Sequence, residues 1–493
     1  MASEETDRVK FRKQFFLCRD QQTRLPSKYW ISRKLHDGWH LCHHEDLEIS
    51  IKESCNYRVA LLGNAYDLDF ISRTNSDVAA SLVDAVDAEP ASLSGFETRL
   101  SRLSGRHAVL VFGQDDDRIY HDAGGLKSVF FAKGADDDLC VGSQPALLEH
   151  FGKTRRDDSA YDAFVENPHS ASFSAYYVPY ENVTQLLPNR FLSLRTGWVH
   201  RFWPVDECQE ISMQESADTI SQLTKASVEA HCLRGKLALT LTGGFDSRMI
   251  LATADPEIRE QLKIATSISK GTPDHDRWIP RRICKVLGLD IHQTRIDEVK
   301  ESDLIQQLHR NVGGMSSDAS LPRVLGVSDT LGDHVQGAGL CAEVFRDFYP
   351  STSVDTEGLT PQMLADVSGF RRNNLAVPGL ERWMSELPDG WTSRRLDLLY
   401  WEQRLGVWAS AHLAFKEALF DVSPPMNNRS ILSAGLSAPG DTRCKPYHLA
   451  REVIRRGDPR LLDIPFNQDR VHIRLRRKLR YRINRLKSAI KAA

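Results

Sequence analysis

The sequence predicts a two-part fold, a strand-rich α+β first half followed by an α/β second half built on a parallel sheet. Three patterns carry that expectation. Short β-like runs alternate with Gly/Asp/Asn turns up to about residue 205. From about Met213 amphipathic helices alternate with short apolar strands. One of those strands runs through a Gly-Gly turn directly into a helix-like segment. Length and composition agree: 493 residues with 41% hydrophobic and 26% charged side chains describe a globular chain with room for several domains. A net charge of −2 argues against a chain built wholly for nucleic acid.

In the first half the runs are Tyr57-Arg-Val-Ala-Leu-Leu62, His107-Ala-Val-Leu-Val-Phe112 and Ser128-Val-Phe-Phe131. In the second they are Lys236-Leu-Ala-Leu-Thr-Leu241 and Lys263-Ile-Ala-Thr-Ser-Ile268. No apolar run approaches the roughly 20 residues that span a bilayer, and the acidic, polar start lacks the order of a signal peptide. A cytoplasmic chain is expected. The nine cysteines show no paired C-x-x-C spacing, which favours reduced thiols. Cys42-His43-His44-Glu45 is a poor metal site, because adjacent side chains do not converge on one ion.

The chemistry concentrates after the strand ending at Leu241. There Thr242-Gly243-Gly244-Phe245-Asp246-Ser247 leads into Arg248-Met-Ile-Leu-Ala-Thr253. Two glycines allow a sharp turn and close backbone approach to a ligand, while a helix start offers unpaired N–H groups and a positive dipole end. That arrangement suits phosphate. It is no Walker A loop, since no Gly-Lys-Ser/Thr follows. Asp246 would repel bare polyphosphate, so its useful role is to hold Mg²⁺ bridging phosphate oxygens, with the Ser247 hydroxyl as a further donor. A bare strand-to-helix turn capped by Asp246 or Ser247 is the simpler alternative.

At this loop the sequence resembles the ATP-pyrophosphatase (PP-loop) group, whose signature is Ser-Gly-Gly-x-Asp-Ser; Thr242 keeps the first hydroxyl. The wider resemblance is to asparagine synthetase and its relatives, β-lactam synthetase and lasso-peptide cyclases. It rests on Asp122-Ala-Gly-Gly-Leu-Lys127-Ser-Val-Phe130-Phe131 with Val141-Gly-Ser143-Gln144, on Tyr180 to Leu192 with Gly197 and Arg201-Phe-Trp203, on Ser269 to Asp276, and on Val286-Leu-Gly-Leu-Asp-Ile-His292. It extends over most of residues 57 to 467, weakly in the first third.

The resemblance implies a class II glutamine amidotransferase-like β-sandwich with helices over 1–205. It implies a PP-loop domain, adenine nucleotide alpha hydrolase-like, over 206–469. ATP and Mg²⁺ are the implied cofactors, with Thr242, Gly243, Gly244, Phe245, Asp246 and Ser247 as the nucleotide loop. Gly337-Ala-Gly339-Leu-Cys-Ala-Glu343 is similar to a Gly-x-Gly-x-Asp-Glu loop, which gives Glu343 the role of second Mg²⁺ carboxylate beside Asp246. Spacing alone equally allows Glu343 to pair with Arg346. The implied activity is that of a carbon-nitrogen ligase: adenylation of a small-molecule or peptide carboxylate, release of pyrophosphate, and attack by an amine or ammonia with loss of AMP.

Two departures qualify it. Met1-Ala2-Ser3 offers no N-terminal cysteine, and Cys18 and Cys42 are internal, so no glutaminase activity is expected. The family's Arg-x-Lys element falls at Leu462-Asp-Ile-Pro-Phe-Asn467, which holds no lysine; Lys445 or Arg443 are the substitutes, and no catalytic residue is assigned.

From Arg470 to Ala493 the chain carries ten Lys/Arg and no acid, with Val471, Leu475, Leu479, Ile483, Leu486 and Ile490 on one helical face. This basic amphipathic tail either docks on the chain's own core or meets an anionic membrane surface or RNA. A tRNA-modifying PP-loop enzyme would also use such a tail, and a catalytically degenerate synthetase-like binding protein is the non-enzyme alternative.

Overall fold

The computed structural model describes residues 2–22, 24–89, 92–114, 117–133, 138–165, 176–296, 298–300, 302–315, 321–349, 358–368, 376–471 and 473. Of the basic tail, therefore, all but three residues lie outside the described part. Among the described residues no helix is long and apolar enough to cross a membrane.

The first half contains two antiparallel sheets. Its strands are β1 (Phe15–Cys18), β2 (Trp30–His36), β3 (Trp39–His44), β4 (Ile49–Glu53), β5 (Arg58–Asp67), β6 (Leu103–Phe112), β7 (Asp117–His121), β8 (Phe130–Lys133), β9 (Leu139–Gly142), β10 (Val183–Gln185), β11 (Arg190–Ser193) and β12 (Val199–Arg201). One sheet has the order β10-β8-β9-β1-β3-β2 and the other β12-β11-β7-β6-β5-β4.

Alternation along the strands decides which side chains meet. Phe15, Leu17 and Leu41 of the first sheet face Ala60, Leu62, Ala108 and Leu110 of the second, forming the sandwich core. The other face of the second sheet, Val59, Leu61, Val109 and Val111, is covered by Val78, Leu82 and Val86 of the helix Asn75–Ala88 and by Phe96 and Leu100 of the helix Ser94–Ser101. With both faces buried, β5 and β6 read as nearly unbroken apolar runs. This is why 57–62 and 107–112 were legible as strands. They pair in register from Arg58↔Phe112 to Asp67↔Leu103. Helix Asn75–Ala88 starts on a reciprocal capping box between Thr74 and Asp77.

The second half opens with the helix Met213–Arg234, started by a Ser212/Glu215 capping box. A five-stranded sheet follows: β13 (Leu237–Thr240), β14 (Lys263–Ile268), β15 (His292–Arg295), β16 (Val335–Gly337) and β17 (Val422–Ser423), in the order β15-β14-β13-β16-β17. All four pairings are parallel. From β13 the chain steps outward to β14 and β15, then crosses to the opposite side for β16 and β17. The strand order therefore reverses between β13 and β16, and the loops leaving these two strands open a crevice at the carboxyl edge.

The two halves share buried polar groups. Glu402 is fully buried and accepts from Arg190 Nη1 at 2.8 Å, Arg201 Nη1 and Nη2 at 2.7 and 2.9 Å, Asn189 Nδ2 at 3.1 Å and Trp383 Nε1 at 2.7 Å. Glu417 takes Arg106 at 3.2 Å and Lys127 at 3.1 Å. Asn427 donates to Asp122 Oδ1 and to the Gly105 carbonyl, and accepts from the Gly124 N–H. Asp122 in turn accepts the N–H groups of Leu126 and Lys127, so the Asp122–Lys127 segment is a turn braced from the second half.

All nine cysteines are free thiols. His43 and His44 spend ring nitrogens on the carbonyls of His44 and Arg8. Among the described residues no cluster of three or more His, Cys, Asp or Glu is arranged for a metal.

Candidate functional site

The six residues singled out by sequence sit at the carboxyl end of β13, the middle strand of the parallel sheet, and lead into the helix Asp246–Thr253. Polar groups brace the bend. Thr242 N–H donates to Ser247 Oγ at 3.1 Å, Gly243 N–H to Asp276 Oδ1 at 2.8 Å, and Gly244 N–H to Thr242 Oγ1 at 3.4 Å. The helix that follows has no side-chain cap. Its first turn thus presents main-chain N–H groups and a positive dipole end, with Asp246 in that turn.

The bend is clamped from below. Arg248 is fully buried and donates to the carbonyls of Leu461, Ile464 and Pro465, and at 3.3 Å to that of Gly243. Asn467 N–H donates to the same Gly243 oxygen at 2.9 Å. Phe466 lies between, stacked 4.0 Å from Phe245, with the Arg248 guanidinium 3.8 Å above its ring. The segment 462–467 is therefore beside the loop, and it holds no lysine. Of the two substitutes, Arg443 is spent on Asp397 at 2.7 Å, and Lys445 is exposed.

The loop after β16 reaches the same point. A Cβ on Gly339 would come 2.8 Å from Ser247 N and 3.0 Å from Ser247 Cβ, so only glycine lets the two loops approach this closely. Gly339→Ala is expected to cost about 1–3 kcal/mol through overpacking, read as a lowered urea midpoint; an unchanged midpoint would contradict the contact. Beyond Gly339 the backbone turns at Cys341, φ +85, into a short 3-10 helix, Ala342–Phe345. This brings Glu343 beside Asp246.

Both sequence alternatives for Glu343 meet here. Arg346 Nη2 lies 2.9 and 2.7 Å from the two Asp246 oxygens and 4.0 Å from Glu343 Oε1. The arginine that spacing offered to Glu343 thus binds Asp246. Glu343 Oε2 is buried with no hydrogen-bond partner. Burial, and then the Asp246 charge, push the Glu343 carboxyl up to about 8. The bare Glu343 oxygen is of the kind a hard divalent cation takes, while both Asp246 oxygens are already held by Arg346.

A cavity of about 320 Å³ runs along the carboxyl edge; of the bend 242–247 Thr242 lines it, and Asp246 and Glu343 do not. Leu241 and Thr242 line it beside β13, Thr266 and Ser267 belong to β14, and Ala338 and Gly339 follow β16. Its far wall holds Arg323, Trp408, His412 and Lys416, none of which sequence reasoning singled out. The available signal was the four-residue recurrence of Trp408, His412 and Lys416, which sets one helical face.

No family model and no curated protein matches the chain. Among solved structures it is similar to the allosteric regulatory enzyme of purine biosynthesis, at 11% identity over 62% of this chain and 66% of that one, with a TM-score of 0.26. It is similar also to the glutamine phosphoribosylpyrophosphate amidotransferase from B. subtilis in complex with ADP and GMP, at 12% identity over the same shares and a TM-score of 0.25. The chain thus spans slightly under two thirds of either protein's length, and likeness at this level carries nothing about its chemistry.

Proposed function

We propose that this chain is an asparagine synthetase-like ligase that binds Mg-ATP at Thr242–Ser247, adenylates a carboxylate and passes the acyl group to an amine. Residues 206–469 would form the PP-loop domain. Residues 1–205 would form an amidotransferase-like lobe, and the nitrogen would come from ammonia or a substrate amine. The observation that carries the reading is the position of the loop. It opens at the β13/β16 reversal of strand order, where ligands of open α/β sheets bind, and a cavity begins at Thr242.

In the first step a carboxylate oxygen attacks the α-phosphorus and pyrophosphate leaves; in the second the amine attacks the acyl carbon and AMP leaves. The first-turn N–H groups of the helix Asp246–Thr253 and the Ser247 hydroxyl would steady phosphate oxygens as charge moves onto pyrophosphate. Asp246 and Glu343 would hold Mg²⁺, whose chemistry is to neutralise phosphate charge. The Arg346–Asp246 pair favours a second reading, a binding protein whose own arginine serves in place of the metal.

Titration calorimetry with ATP, with and without magnesium, followed by ATP–pyrophosphate exchange over a panel of carboxylic acids, tests both. Magnesium-dependent binding together with exchange supports the ligase. Magnesium-independent binding without exchange supports the second reading, and no binding removes both.

A further inference from the structure

The far wall of the cavity carries cations that no acid among the described residues pairs with. A π-helical stretch, Tyr400–Ala409, runs into the helix Ser410–Glu417, and Trp408, His412 and Lys416 all face the cavity from it. Trp408 stacks on His412 with ring centroids 5.7 Å apart. Opposite them, Arg323, Val324 and Val327 project from the helix Leu321–Leu331.

Lys416 Nζ donates to Gln336 Oε1 at 3.5 Å, and Gln336 Nε2 donates to Thr240 Oγ1 at 3.1 Å. Lys416 is thereby held beneath the carboxyl ends of β13 and β16, below the loop. The neighbouring Glu417 points elsewhere, to Arg106 and Lys127. Among the described residues neither Lys416 nor Arg323 forms an ion pair. Asp276, the acid among the cavity's lining residues, accepts the Gly243 N–H.

Burial, then Arg323 and Arg106, push Lys416 down to about 8. Burial, then Lys416 and Arg323, hold His412 well below its usual value. Lys416 is partly buried without a counter-ion, which costs free energy, and Arg323 adds a second, exposed cation to the same cleft; cations gathered in a cleft mark a site that receives a charged ligand.

We propose that Lys416 and Arg323 form an anion-receiving subsite, which takes a carboxylate or phosphate group of the second substrate, away from the nucleotide's own phosphates. The proposal builds on the nucleotide reading of the loop and adds the chemical class of the other ligand. The Trp408–His412 pair supplies a flat wall beside it.

Calorimetry on the full chain at neutral pH, with inorganic phosphate and succinate as probes and Mg-ATP titrated separately, tests it. At least one probe is expected to bind, with and without Mg-ATP present. In Lys416→Met and in Arg323→Met its affinity should fall about tenfold or more, Lys416→Arg should restore most of it, and the affinity for Mg-ATP should stay unchanged. Arg323 is exposed on its helix, so its variant keeps the test open if Lys416→Met does not fold.

The proposal is overturned if neither probe binds, or if the variants bind the probes as well as the original chain does. It is also overturned if Mg-ATP displaces the probes and the variants weaken both alike, which would assign the cations to nucleotide phosphate. Probe binding that depends on Lys416, in a chain that takes up no Mg-ATP, would remove the nucleotide reading and leave the subsite standing.

Discussion

A Glu402→Gln chain is expected to lose about 3–5 kcal/mol of stability, the range seen when one partner of a buried ion cluster is removed. The carboxylate is fully buried and receives donors from Asn189, Arg190, Arg201 and Trp383. An amide of the same shape would turn its NH₂ toward guanidinium groups that are themselves donors. Arg190 keeps a second acid, Glu386, at 2.9 Å, but Arg201 has no second carboxylate among the described residues. Urea unfolding followed by two spectroscopic probes reads the effect, and a loss under about 1 kcal/mol would mean that the cluster behaves like a surface pair.

The same residue gives stability a pH dependence. Burial alone would raise its pKa, but Arg190 and then Arg201 outweigh burial and hold it at about 2, below its ordinary 4.5. A depressed acid contributes fully above its unfolded value and loses that contribution as pH falls from 4.5 toward 2. In Glu402→Gln this part of the acid limb should be missing.

Asp246→Asn is expected to reduce ATP–pyrophosphate exchange by about 10²–10³-fold, the scale of removing one preorganised charge-stabilising group. It should also weaken Mg-ATP binding and lower the urea midpoint, because Arg346 loses its close ion pair. Asparagine keeps one oxygen for Arg346 and still fits the first turn of the helix. What it loses is the negative charge that, with Glu343, would hold the cation. Full exchange in this variant would remove Asp246 from the chemistry. Loss of exchange with normal Mg-ATP affinity would place it in the transfer step alone.

Local pattern made parts of the molecule legible. Lys263–Ile268 was read to the residue, because its apolar run ends at a polar Ser-Lys-Gly turn. The bend at 242–247 stood out because a strand, two glycines and a helix occur in succession. By contrast β15, His-Gln-Thr-Arg, has no apolar signature; it is an edge strand held by backbone pairing to β14. Arg190 and Arg201 belong to segments that carry the resemblance, yet their shared partner Glu402 comes from a distant π-helical stretch that no spacing rule connects to them. Arg346 followed its spacing to Glu343 only in part, since the 3-10 turn before it carries the guanidinium across to Asp246. Lys416 and Arg323 belong to separate helices, and their convergence is a product of tertiary packing.

The polar seam between the halves sets a limit on how this protein can be divided or simplified. Glu402, Glu417 and Asn427 belong to the C-terminal part, while the arginines, the lysine and the aspartate they satisfy belong to the N-terminal one. Severing the chain near residue 206 would leave raw charge on both cut faces. Whatever its own chemistry, the first half is needed by the second, because it carries the counter-charges of Glu402 and Glu417.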